Sequence, residues 1–193
     1  TITVREAIAP PATALALAGG PLPPLRAGRA MRQPLTAEGG QAPLRWRLVE
    51  GRLPAGLALA AEGVLVGTPT ARGPFLATIE ARDANGSLAS RSLAGDVEPP
   101  QISLIPSHVR VTPGEPFLQA LHGRGGVPPY RFTLEPGGQP PTGITLDADG
   151  VFRGLTAVPP GDYPVTVGVT DASTGPGRFF TTLGFTFRVR PGA

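Results

Sequence analysis

Cysteine is absent from the 193 residues, and so is lysine; all 17 basic residues are arginine. Without cysteine there is no disulfide, no thiol nucleophile and no thiolate metal site. Without lysine there is no Schiff-base or pyridoxal-phosphate chemistry and no Walker-type phosphate loop. Asn85 is the only asparagine. Arginine without lysine, with almost no asparagine, marks GC-rich coding rather than a nucleic-acid surface. No stretch approaches the roughly 18 apolar residues that a membrane-spanning helix needs. The chain starts at Thr1 with no basic-then-apolar leader, so a processed protein or a piece of a larger polypeptide is expected.

The formal charge is a modest +3. Residues 1–97 hold ten arginines against seven acids, and residues 98–193 seven against seven. A nucleic-acid-binding module concentrates its basic charge on one face. Here the arginines are scattered and alternate with apolar residues, so nucleic acid is not expected as a partner.

Glycine and proline, by contrast, are abundant: 27 and 25 residues. That fraction suits low-complexity sequence, and it excludes a mostly helical protein. Yet 40% of the residues are hydrophobic, too many for a chain that stays unfolded. The two facts agree if glycine and proline punctuate many short strands.

A repeat with a spacing of about 86–88 residues supports this. Gly39-Gly40-Gln41-Ala42-Pro43-Leu44-Arg45-Trp46-Arg47-Leu48 matches Gly125-Gly126-Val127-Pro128-Pro129-Tyr130-Arg131-Phe132-Thr133-Leu134. Leu53-Pro54-Ala55-Gly56-Leu57 aligns with Pro140-Pro141-Thr142-Gly143-Ile144, and Gly63-Val64-Leu65-Val66-Gly67 with Gly150-Val151-Phe152-Arg153-Gly154. Gly73, Phe75, Ile79 and Asp83 then match Gly161, Tyr163, Val167 and Asp171. Each copy has a normal domain size. The domains are read as 1–97 and 98–193, divided near Glu98-Pro99-Pro100, whose stiff Pro-Pro step would set the two end to end.

Leu44-Arg45-Trp46-Arg47-Leu48 and Tyr130-Arg131-Phe132-Thr133-Leu134 alternate, which predicts strands with one buried face. Trp46 and Phe132 should point inward and the arginines outward. Phe75, Ala77, Ile79 and Ala81 share a face, as do Tyr163, Val165, Val167 and Val169; Leu183, Phe185, Phe187 and Val189 alternate again. Asn85-Gly86 is a hairpin signal, and Ala172 to Gly177 makes a looser turn. Glu62-Gly63 and Asp149-Gly150 should be tight turns. Pro54, Pro140 and Pro141 suit extended, unpaired crossing segments. Ala14 to Leu17 is read as the first strand, with Ile102 to Ile105 as its counterpart. Thr1 to Val4 could pair as a strand, and Ala-rich residues 7–18 carry a helix alternative that Pro10 and Pro11 interrupt. The expected fold is all-β: two tandem antiparallel sandwiches.

The combined motif resembles the bacterial putative Ig repeats, relatives of the dystroglycan-type cadherin-like domain. The order is Gly-Gly-x-x-Pro before the Trp or Phe strand, then Leu-Pro-x-Gly-Leu, a Gly-x-x-x-Gly-Thr-Pro turn, and Gly-x-Phe/Tyr followed by Asp. The first copy carries it almost completely, including Gly67-Thr68-Pro69. The second has Gly154-Leu155-Thr156 and Pro140-Pro141 instead. The resemblance covers about residues 14–97 and 101–190. It implies immunoglobulin-like sandwiches used in tandem in secreted, surface or periplasmic proteins, as spacers, adhesive stalks or accessory domains, and it carries no catalytic residue.

Candidate chemistry is thin. His108 and His122 are the only histidines, and no motif places an acid or nucleophile beside either. Gly123-Arg124-Gly125-Gly126 is read as the loop leading into the next strand. Calcium, which cadherins hold between domains, needs converging carboxylates; Asp96 and Glu98, Asp83 with Asn85, and Asp147 with Asp149 are read as linker and turn residues instead. No metal or cofactor is expected. Asn85-Gly86-Ser87 fits a glycosylation sequon but is read as a hairpin. Arg45, Arg47, Arg52 and Arg131 are the candidate partner contacts, an exposed basic strip for a protein or anionic glycan. The leading expectation is a non-catalytic tandem module of an exported or cell-surface bacterial protein, contacting a protein or glycan. A pilus or secretion component that binds through a strand edge is the alternative. A carbohydrate-binding accessory comes third, because Trp46, Tyr130 and Phe132 fall on core faces.

Overall fold

The computed structural model describes residues 13–176 and 179–192. The expected strand at Thr1 to Val4, the start of the helix alternative and Gly177 of the later turn lie outside the described residues. Two compact units divide the chain: one runs up to Val97 without residues 26–29 and 70–73, and the other holds those segments and everything from Glu98 onward.

The first repeat carries β1 (Ala16–Ala18), β2 (Leu25–Arg26), β3 (Met31–Pro34), β4 (Thr36–Glu38), β5 (Arg45–Gly51), β6 (Leu57–Leu59), β7 (Val64–Gly67), β8 (Gly73–Arg82) and β9 (Leu88–Glu98). The second carries β10 (Ser103–Ile105), β11 (His108–Val111), β12 (Pro116–Ala120), β13 (His122–Arg124), β14 (Arg131–Leu134), β15 (Ile144–Leu146), β16 (Val151–Leu155), β17 (Gly161–Thr170) and β18 (Phe180–Val189). Sheets β2-β9-β8-β5, β3-β7-β6 and β1-β4 in the first repeat correspond one for one to β11-β18-β17-β14, β12-β16-β15 and β10-β13 in the second. The expected all-β tandem sandwich is what forms. One pairing departs from the antiparallel expectation: β11 runs parallel to β18, with Arg110 opposite Arg188. A parallel pair needs a long connection, and here most of the repeat separates the two strands.

Alternation places the core as expected. Trp46, Ala77, Ile79 and Ala81 are buried in the first repeat, and Phe132, Val165, Val167, Val169, Phe185, Phe187 and Val189 in the second. Leu65 from β7 joins Trp46, Ile79 and Leu93. Its counterpart Phe152 lies 5.2 Å from the Phe185 ring and 4.8 Å from the Phe187 ring. Burying each such side chain is worth about 1.5–3 kcal/mol. Leu48 breaks the pattern at 41% exposure. It lies on an edge strand, and a bulge follows it, where Leu48 faces Ile79 while Glu50 already faces Thr78. The extra residue, Val49, stands 43% exposed, as an inserted bulge residue must when it has no partner across the ladder.

The turns carry matched bonds. Gly63 N–H donates to Ala60 O at 2.9 Å and Gly150 N–H to Asp147 O at 3.0 Å. Both glycines have positive φ, 83° and 89°. A Cβ at Gly63 would lie 2.5 Å from Trp46 Nε1, and one at Gly150 2.7 Å from the Phe132 ring. The turn glycine is thus the floor on which the core aromatic rests. The segments at Pro54 and Pro141 are not extended crossings. Leu57 N–H bonds Pro54 O and Ile144 N–H bonds Pro141 O, both at 3.0 Å, so each closes a four-residue turn with its glycine at the third position, the type II signature. The second copy forms this turn despite its Pro140-Pro141 sequence.

Candidate partner-contact surface

The β5–β8 ladder sets the geometry of the basic strip. Arg45 faces Arg82, Trp46 faces Ala81 and Arg47 faces Glu80. Trp46 and Ala81 point to the core, so the arginines and Glu80 share the outer face. Arg47 donates from Nε to Glu80 Oε1 at 2.7 Å, and its Nη2 also lies 2.7 Å from that oxygen. The guanidinia of Arg45 and Arg82 have no ion pair among the described residues. Like charges directly across a ladder repel, so this pair is the least satisfied part of the strip. Arg45, Arg47, Arg82, Trp46 and Leu88 line a groove of about 210 Å3. Arg52 lies just past β5, fixed by its backbone N–H to Leu76 O at 3.0 Å.

Arg131 differs. It occupies the place of Arg45 in the second repeat, but Thr170 stands opposite it and its Nη1 is 2.6 Å from Asp149 Oδ1. The structure therefore groups Arg45 and Arg47 and adds Arg82, which the sequence did not single out. Arg131 sits in the other unit, engaged by its own turn. The signal for Arg82 was its place at the end of an alternating strand, but the ladder that sets it against Arg45 joins residues 37 apart in sequence.

Asp83, Asp147 and Asp171 are held by backbone donors. Asp83 Oδ2 accepts from Gln41 N–H at 3.0 Å and Oδ1 from Ser87 N–H at 2.7 Å. In the second repeat, Asp171 Oδ2 accepts from Val127 N–H at 2.9 Å, and Oδ1 accepts from Ser173 N–H and Oγ at 3.1 and 2.6 Å. Each of these strand-end carboxylates bonds the turn that follows it, as a strand-end Asp in a turn does. The sequence missed the second half of the latch, the grip on the glycine-rich loop leading into β5 or β14. The Gln41 N–H, ahead of the other donors, holds the Asp83 carboxyl below its usual range despite an opposing effect of burial. Asp147 is lowered in the same way, mainly by Val151 N–H, with Arg153 adding to it. Tyr130 donates its hydroxyl to Gly125 O; burial first, and then the charge of Asp171, push the phenol up. Among the described residues no three of His, Cys, Asp and Glu cluster as a metal site, and no helix is long and apolar enough to cross a membrane.

A family model described as "Putative Ig domain" matches residues 16–98 and 99–190. No curated protein matches the chain. Among solved structures, Drosophila N-cadherin EC1-4 is 17% identical, covering 92% of this chain and 50% of its own, with a TM-score of 0.38. Mouse cadherin-23 EC22-24 is 14% identical over 88% of this chain and 60% of its own, with a TM-score of 0.39. A protein described as a putative alpha-galactosidase from Bacteroides fragilis is 24% identical over 47% of this chain and 17% of its own, with a TM-score of 0.38. The chain thus spans less than two thirds of each of these structures.

Proposed function

The chain belongs to the putative Ig domain family, in two tandem copies, and on that premise we propose that it is a non-catalytic module of an exported or cell-surface bacterial protein. Its two domains, 1–97 and 98–193, space neighbouring parts of a larger polypeptide, and the β5–β8 face of the first contacts a protein or glycan partner. One observation carries this reading. The residues that recur between the repeats hold the fold: Asp83 and Asp171 latch loops, and Gly63 and Gly150 seat aromatics. The facing arginines Arg45 and Arg82 occur in one repeat only, as a contact surface specific to one domain would. Arg47 and Arg52 are assigned to the same contact role on the first domain, and Arg131 is proposed as a separate contact on the second.

The test is a photo-cross-linker placed at Arg45 in the full chain and exposed to envelope fractions. A single adduct lost on Arg82→Glu supports the reading. Robust turnover by the purified chain in a panel of hydrolase substrates would sink it.

A second reading, an assembly component of a pilus or secretion apparatus bound along a strand edge, is favoured by β12. That strand ends its sheet and presents Leu118 at 74% exposure. A stoichiometric envelope partner whose binding is lost on Leu118→Pro, in a chain that still folds, would select this reading over the first.

A further inference from the structure

The second repeat is neutral, with seven arginines and seven acids between residues 98 and 193. Its charges are not evenly placed. Three of those arginines, Arg110, Arg188 and Arg190, line one groove of about 620 Å3 with a single acid, Asp162. That volume is in the range of small-ligand sites.

The groove's one carboxylate is already taken. Asp162 Oδ1 holds Arg190 Nη2 at 2.6 Å, and Arg190 is pinned further by Nη1 donating to Gly161 O and Val189 O at 3.0 and 2.8 Å. Arg110 spends one nitrogen on Pro191 O at 3.0 Å. The Arg188 guanidinium has no partner among the described residues, yet Arg110 stands directly across the parallel ladder from it. Strands in a ladder lie about 4.8 Å apart, so two cations share one face at neighbouring positions, which is repulsive; Asp162, opposite Arg188 on its other side, is bonded to Arg190 instead. Elsewhere in the repeat, Asp147 pairs with Arg153 and Asp149 with Arg131, and Asp171 is held by Val127 and Ser173.

We propose that this groove binds an acidic polysaccharide, with Arg188 and Arg110 clamping a carboxylate or sulfate of one sugar. The guanidinium fork matches both oxyanions. His108 and Gln119 also line the groove and supply polar atoms for sugar hydroxyls. No Phe, Tyr or Trp lines it, so it lacks the large ring platforms on which single-stranded nucleic-acid sites stack bases and the aromatic anchor that centres a peptide interface. The proposal deepens the non-catalytic glycan-contact reading by adding a second surface of defined chemistry.

The full chain is titrated calorimetrically at low salt with polygalacturonate, dextran sulfate, neutral dextran, poly-glutamate, duplex DNA and phosphatidylglycerol vesicles. Binding is expected to polygalacturonate or dextran sulfate; which of the two binds separates a carboxylate from a sulfate source. Neutral dextran should not bind. Arg188→Glu should weaken binding at least tenfold, while Arg124→Glu, which makes the same net-charge change on β13, should leave it within twofold. Arg110→Gln gives a milder second variant, and amide shifts confined to β11 and β18 on adding a short acidic oligosaccharide would support the site. Equal losses for Arg188→Glu and Arg124→Glu overturn it, as does binding of poly-glutamate, DNA or vesicles as tight as that of the acidic glycans, or no binding of either acidic glycan. Those failures leave the Arg45 cross-linking result untouched. Turnover of polygalacturonate would instead remove the non-catalytic reading while leaving the groove in place.

Discussion

Phe152 in the second repeat fills the place that Leu65 holds in the first, and Val165, Val167 and Val169 stand where the first has Ala77, Ile79 and Ala81. Phe187, buried opposite Tyr163 on the β17–β18 ladder, corresponds to Gly95. There the Phe75 ring covers the glycine instead: a Cβ at Gly95 would lie 2.9 Å from Phe75 Cε1. Where the second repeat sets Phe187 beside Tyr163, the first lays the Phe75 ring against a bare glycine. Nine strands and three sheets nevertheless match one for one. Core composition and volume therefore differ between the repeats, while the turn and latch geometry recurs.

The sole tryptophan, Trp46, lies in the first repeat and both tyrosines, Tyr130 and Tyr163, in the second. Tryptophan fluorescence and tyrosine near-ultraviolet dichroism thus report the two repeats separately in one chain, and four predictions use this to sharpen the comparison. The largest effect is expected from Phe152→Ala, which removes a fully buried ring from a cluster of three. It should cost the second repeat roughly 3–5 kcal/mol, against about 2–5 kcal/mol to the first repeat for Leu65→Ala. Urea unfolding checks both, and equal losses would mean that the smaller core is packed as completely as the aromatic one.

Asp171→Ala comes next. It leaves the half-buried Val127 and buried Ser173 donors without their acceptor, at about 1–3 kcal/mol, and should lower the tyrosine-detected midpoint while sparing the tryptophan signal. A shift in both signals would show that the repeats do not unfold independently.

The pH dependence of the first repeat follows from Asp83. Its folded carboxyl releases its proton more readily than the same group in the unfolded chain. Below the ordinary carboxylate value of about 3.9 the unfolded state therefore binds more protons, and stability falls with pH. The contribution is complete above that value and is lost as the pH drops through it toward the lowered folded one. The midpoint read by Trp46 fluorescence between about pH 6 and 2.5 should show this drop, and Asp83→Asn should flatten it. Asp147 gives the second repeat an acid limb of the same sign.

Arg131→Gln should have the smallest effect, under about 1 kcal/mol, because its ion pair with Asp149 is solvent-exposed. A larger loss in thermal unfolding would mean that the turn relies on this pair.

Much of the fold was legible because its signals are local. Alternation in Leu44 to Leu48 and Phe75 to Asp83 marked strands, and Glu62-Gly63 and Asp149-Gly150 marked turns, since a two-residue period and a positive φ are properties of neighbouring residues. Leu48 was misjudged because its exposure depends on an edge position and a bulge against β8. The Pro54 turn was missed because the same Pro and Gly residues suit an extended path until the Leu57–Pro54 bond closes.

Read alone, the residues therefore determined the repeat, the all-β class, the inward set of Trp46, Phe132, Phe185 and Phe187, and the near-neutral balance of the second half. Only the tertiary structure decided which charges meet. It set Arg45 against Arg82, occupied Arg131 with Asp149, and gathered Arg110, Arg188 and Arg190 around one carboxylate already taken. The arginine pairs depend on ladder register between strands up to about eighty residues apart, the Arg131 pair on a turn packed beside β14, and composition carries no information about either.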